Sequence, residues 1–152
     1  MEVTCQCTAI TFTTPTPHPI ALYHCHCTEC RKQTASAFGT SAVFPAAGLF
    51  PLSAGLASKL GVWTRPTDSG GSMDCYFCRG CGVRVVHRVR GADGVARDTV
   101  NIKAGLLGGP LDWRGAPHIY TRSAVVEVPR GVETWKGAPE GMVGRRTGGD
   151  TQ

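Results

Sequence analysis

The chain has 152 residues, with 20 glycines, 10 prolines, 8 cysteines and a formal net charge of +5. That length fits one domain with a core of its own. No apolar run approaches the roughly 20 residues of a membrane-spanning helix, and the positive charge is spread along the chain, not gathered into the basic face that nucleic-acid binding requires.

The opening Met1-Glu2-Val3-Thr4-Cys5 lacks the basic start and apolar stretch of a secretory signal, so a cytoplasmic location is expected. In a reducing compartment, eight cysteines are better read as metal ligands than as disulfides. Frequent glycine and proline, without long helix-forming runs, predict an all-β fold of short strands and tight turns.

In chain order, residues 3–13 alternate and are rich in β-branched side chains, predicting one strand. Cys5 and Cys7 would share a face of it and supply half a metal site. Residues 14–19 form a proline-rich loop with His18 exposed. Residues 20–24 predict a strand leading into His24-Cys25-His26-Cys27-Thr28-Glu29-Cys30-Arg31-Lys32. In extended chain Cys25 and Cys27 lean the same way, and a Cys-x-x-Cys turn returns Cys30 to that point. Three thiolates suit zinc and leave a fourth coordination position open, the arrangement of catalytic zinc. His24 or His26 would close the site, but each lies one residue out of phase with the cysteines. Arg31 and Lys32 read equally as solvated surface charges or as cations that offset a zinc–thiolate centre and attract an anionic substrate.

Residues 33–45 predict a strand with a bulge at Gly39, residues 46–58 a loop or weak turn of helix, residues 60–65 a strand and residues 67–72 a turn. Cys78-x-x-Cys81-Gly82 then has the form of a zinc knuckle, its glycine easing the tight turn. With Cys5 and Cys7 it completes four thiolates, a closed site of structural type. Cys75 is expected to be a small buried apolar residue. Residues 83–90, 98–103, 118–122 and 124–128 predict further strands, with residues 105–109 flexible between them. His87 and His118 fall in strand patterns and read as structural. Residues 137–152 lack apolar periodicity and read as a disordered tail.

Cys5-x-Cys7, Cys25-His26-Cys27-x-x-Cys30-Arg31-Lys32 and Phe77-Cys78-x-x-Cys81-Gly82, in this order, resemble the glutathione-dependent formaldehyde-activating enzyme / centromere protein V family. The resemblance runs over residues 3–136. Leu111-Asp112-Trp113 and the run from His118 to Ser123 resemble the C-terminal part found in the family's fungal branches. Thr8 stands where the family often has glycine. The resemblance implies a zinc-bound β-tent of small antiparallel sheets over residues 1–136 and two zinc ions per chain. Cys5, Cys7, Cys78 and Cys81 would hold the structural ion, and Cys25, Cys27 and Cys30 the catalytic one. It also implies carbon–sulfur lyase chemistry on a small molecule: an adduct of a thiol such as glutathione with an aldehyde, or a related carbonyl compound such as a specialised metabolite. Arg31 and Lys32 are the candidates for binding that substrate, and a homodimer is compatible with this reading. The alternative is a non-catalytic zinc module that binds a protein or nucleic-acid partner. It requires the central site to be closed by His24, His26 or Cys75.

Overall fold

Period-two alternation of apolar and polar side chains shapes most of this chain. The computed structural model, which describes residues 1–139, pairs the resulting strands into two sheets. In the smaller, β1 (Glu2–Thr4) and β2 (Thr11–Thr13) form an antiparallel hairpin that pairs Val3 with Phe12. The larger contains β3 (Ala21–Cys25), β4 (Gly39–Pro45), β5 (Leu60–Pro66), β6 (Ser72–Cys78), β7 (Arg84–Arg90), β8 (Thr99–Lys103) and β9 (His118–Ile119). Their order across the sheet is β5-β6-β7-β8-β4-β3-β9. Every pairing is antiparallel except β9 on β3, where His24 meets His118 and Cys25 meets Ile119. Among the described residues, helix is limited to α1 (Thr28–Thr34), α2 (Ala54–Lys59) and two 3-10 turns. The fold is all-β, and among the described residues no helix is long and apolar enough to cross a membrane.

The two faces of the large sheet differ in chemistry. On one face Ala42, Ile102 and Val86 lie side by side across β4, β8 and β7, with Phe44 beside Val100 in the adjacent row. This face packs with Val3, Ile10 and Leu49 into the main apolar core. The other face carries the row Trp63, Cys75, His87, Asn101, Val43 and Ala21, with Tyr23, Ser41 and Lys103 two residues further along their strands. The three-cysteine segment leaves the sheet on this polar face, through Cys25 opposite Gly39.

Several expected boundaries shift. Residues 3–13 are not one strand. The amide of Cys5 donates to the Ile10 carbonyl at 3.1 Å and that of Thr8 to the Cys5 carbonyl at 2.9 Å, so the chain turns back between β1 and β2. Thr8 takes the left-handed conformation at φ 63°, which glycine adopts without strain. Cys5 and Cys7 therefore sit in a hairpin turn and not on a strand face. Nor is 33–45 one strand. Helix α1 runs on to Thr34, Ala35 ends it at φ 48°, and β4 starts at Gly39. The expected flexible stretch at 105–109 is tied down, since Leu107 bridges to Val3 and the Gly108 amide donates to the Glu2 carbonyl at 2.8 Å.

The last two strand expectations shrink. Only His118 and Ile119 pair along β3, and residues 121–123 form a 3-10 turn. Residues 124–128 form no strand, and Val125 is 57 % exposed. Strand propensity needs a partner edge, and the edge of β9 is bridged by Thr134 instead. The expected tail lies outside the described residues from residue 140 onward, while the Gly137 carbonyl accepts from the Tyr120 amide at 3.1 Å.

Phe44 is fully buried in the core between the sheets. Phe44→Ala is expected to cost about 3–5 kcal/mol of stability, read as a lowered midpoint in urea denaturation. A loss under about 1 kcal/mol would contradict the packing described.

Candidate metal centres

Two sets of cysteines converge. In the first, Cys5 and Cys7 come from the hairpin turn, Cys78 ends β6 and Cys81 lies in the turn to β7; their four sulfurs all fall within 4.8 Å of one another. Cys5 Sγ stands 3.6 Å from Cys7 Sγ and 3.7 Å from Cys78 Sγ. The Ile10 amide donates to Cys5 Sγ at 3.3 Å. Gly82 adopts φ 75°, and its amide donates to the Cys78 carbonyl at 2.9 Å, which closes the Cys78–Cys81 turn. Gly80 lies directly against the set, since a side chain there would stand in ordinary contact with the Cys7 and Cys78 sulfurs, at 3.4 and 3.7 Å. The Val83 amide leads in holding the Cys81 thiol down to about 6. Four closely spaced sulfurs with amides directed at them fit zinc.

The second set is built on the strand-to-helix junction. Cys25 ends β3, Cys27 caps the N-terminus of α1, and Cys30 lies one turn in, with all three sulfurs within 4.8 Å of one another. The Cys30 amide donates to Cys27 Sγ at 3.3 Å, so one thiol serves as both helix cap and candidate ligand. Gln33 Nε2 reaches Cys30 Sγ at 3.6 Å. Hydrogen bonds from Cys25 and then Cys30 hold Cys27 down to about 2, the direction expected of a thiol at a helix N-terminus. Cys25 is pushed far up by the same bonds, those to Cys27 and Cys30, and by burial. Against the opposing pull of Cys25, the bond to Cys27 and burial push Cys30 up to about 11.

Among the described residues no further cysteine, histidine, aspartate or glutamate joins this trio. The two neighbouring histidines are engaged elsewhere. His24 Nδ1 bonds Thr40 Oγ1 at 2.8 Å and its Nε2 donates to the Trp113 carbonyl at 2.9 Å. His26 Nε2 shares a proton with His118 Nδ1 at 2.8 Å, and the two rings stack with centroids 5.1 Å apart. Cys75 is fully buried and belongs to neither cluster. Arg31 donates to the Ser123 carbonyl at 3.3 Å. Lys32 pairs with Glu29 at 2.9 Å and its side chain is 74 % exposed. Both line an open surface depression along α1, with Thr28, Ala35 and Ser36.

One residue of this centre escaped the reading of the sequence. Lys103 is only 7 % exposed and donates to Ser41 Oγ at 2.9 Å. A side chain at Gly39 would stand 3.5 Å from both Lys103 Nζ and Cys30 Cβ, which places the ammonium against the trio. Burial lowers its pKa, and the Cys30, Cys25 and Cys27 thiols work to raise it. The alternation in residues 99–103 marks Asn101 and Lys103 as one face, but alternation alone assigns that face to solvent.

The sequence pattern of a protein family described as glutathione-dependent formaldehyde-activating enzyme matches residues 1–123. No curated protein matches the chain.

The hydrogen bonds within the trio favour the thiolate at Cys27 and the thiol at Cys25 and Cys30. Zinc loading of this trio is therefore expected to release about two protons per ion, with affinity rising about 100-fold per pH unit. The sign follows from competition: below the Cys30 value of about 11, protons and metal contest two sulfurs. Calorimetry in buffers of different ionisation enthalpy measures the release, and a count of none or three would contradict this distribution of protons.

Proposed function

Because the chain belongs to the glutathione-dependent formaldehyde-activating enzyme family, we propose that it is a zinc-dependent carbon–sulfur lyase that makes and breaks adducts of a thiol, glutathione foremost, with a small aldehyde. The observation that carries this reading is the trio itself. Cys25, Cys27 and Cys30 bring three sulfurs together, and His24 and His26 hold other partners. Cys5, Cys7, Cys78 and Cys81 would hold a second, structural zinc as a closed four-sulfur site.

Zinc bound to the trio would supply Lewis acidity and a lowered thiol pKa. The chain's residues do the remaining work. In the forward direction a carbon–sulfur bond forms, the thiol proton leaves sulfur, and the former carbonyl oxygen ends as a hydroxyl. No electrons are exchanged with a third party, and the reverse reaction is the lyase step. Lys103 offsets the net negative charge that three thiolates confer on a divalent ion. The stacked His26–His118 pair holds the start of α1 against β9 and so fixes the direction of the Cys25 and Cys27 side chains. Arg31 and Lys32, at the rim of the α1 depression, are proposed to hold a substrate carboxylate. The alternative of a partner-binding zinc module needs a fourth protein ligand at the trio, and among the described residues no histidine nitrogen lies with the three sulfurs, which disfavours it.

Purified protein mixed with glutathione and formaldehyde is expected to form adduct faster than the spontaneous reaction. Cys27→Ser is expected to lower that rate by more than about 100-fold, exceeding the loss typical for an outer-shell partner, and to leave one zinc per chain. Wild-type protein that gives only the spontaneous rate would remove glutathione and formaldehyde as substrates.

A further inference from the structure

The polar face of the large sheet carries more positive charge than the trio accounts for. Arg65 on β5, Arg84 on β7 and Lys103 on β8 surround the Cys75–His87 pair in the row that crosses the sheet. Arg84 Nη1 donates to the Cys75 carbonyl at 3.3 Å, and its guanidinium lies 5.1 Å from the Trp63 ring and 5.6 Å from the Phe77 ring. Arg65 donates to the Pro66 carbonyl at 3.0 Å and to Met73 Sδ at 3.4 Å. Both residues are half-buried. Each guanidinium has five N–H donors, so some remain for a ligand.

Lys32 pairs with Glu29, Arg90 with Asp74 and Arg122 with Asp68, and among the described residues no ion pair is seen for Arg65, Arg84 or Lys103. Arg65, Arg84 and Lys103 therefore stand together without an acid. A second, independent observation concerns His87. It is 3 % exposed, and its Nε2 has no hydrogen-bond partner. Burial foremost, then Lys103, Arg65 and Arg84, push its pKa well down, so it sits among them as a neutral ring. A buried polar nitrogen without a partner is uncommon and points to a missing ligand. Lys103 also reaches the trio, for its Nζ and the Cys30 Cβ each lie 3.5 Å from where a side chain at Gly39 would stand.

We infer that Arg65, Arg84 and Lys103 form a carboxylate-binding subsite beside the three-cysteine cluster, which selects thiol adducts that carry a carboxylate. The identity of the anion rests on the thiol–aldehyde reading above; the presence of the subsite does not. Arginine forks match the two oxygens of a carboxylate, and Trp63 and Phe77 hold the Arg84 fork in place. The subsite also offers a sharper selector than Lys32, whose charge is already paired with Glu29.

The test uses the full chain with its zinc, S-methylglutathione as a probe that has carboxylates but no free thiol, and the diester of that probe. Calorimetry is expected to show binding of S-methylglutathione, a loss of at least about tenfold in Arg65→Gln and in Arg84→Gln, and no binding of the diester. Arg84→Lys keeps the charge without the fork and is expected to recover only part of the loss. Zinc content and thermal melting establish that each variant is folded. In turnover, Arg84→Gln is expected to raise KM for glutathione about tenfold and to leave KM for 2-mercaptoethanol unchanged. Equal effects on both thiols, no binding of the probe by wild type, or sulfate binding as tightly as the probe would each overturn the subsite. Arginine-dependent binding of the probe without turnover of any thiol would instead sink the lyase reading and leave the subsite standing.

Discussion

Cys5 and Cys78 are separated by 73 positions in the chain, yet their sulfurs lie 3.7 Å apart. The rest of the molecule depends on that closure. It fixes the β1–β2 hairpin over one face of the seven-stranded sheet, and beneath it Val3 and Ile10 meet Phe44, Val86 and Ile102 in the core. With that face covered, functional chemistry is left to the opposite one. There Cys25 leaves β3, Lys103 and Ser41 face one another across β8 and β4, and His87 sits beside Cys75. A sheet with one apolar and one ionisable face cannot slip its register by a single residue without exchanging the two. The alignment of β4 with β8 is thus specified by Phe44 on one side and Lys103 on the other.

How much of this could be read from the sequence depended on how local the signal was. The two cysteine sets were legible because their members lie two or three residues apart within each half, and because four thiols make a closed set while three do not. Most of the strand runs were legible from alternation. Helix α1 was not. Its cap is a thiol that reads as a ligand, and its seven residues are too few to show a 3.6-residue period. The turn at Thr8 was hidden because no glycine marks it. Lys103 was hidden because a lysine in an alternating strand normally faces water, and nothing nearby in the chain says that this face is covered. The strand expected at residues 124–128 failed for the converse reason: its local preference was real, but the nearby edge of β9 is bridged by Thr134 instead.

The histidines show how position in the chain and position in space can part. His24 and His26 flank the cysteines in sequence, and that closeness made them candidate ligands. In space they belong to a different group, an aromatic cluster with His118 and Phe38. That cluster joins β3 to β9 beside the point at which the strand delivers the cysteines. Lys103 is distant in sequence and immediate in space. Electrostatics around the trio is set by the residue whose number gives no hint of it.

The two cysteine sets also differ in when they can exist. Chain synthesis proceeds from the N-terminus, and all members of the Cys25–Cys27–Cys30 trio have appeared by residue 30, before most of the sheet has been made. The set that includes Cys5 and Cys7 must wait for Cys78 and Cys81, across an interval that includes β3 to β6. Nascent chain thus holds one complete local trio and one orphaned pair. The second set becomes complete only once β3 to β6 have been made, while β7, β8 and β9 are still to come.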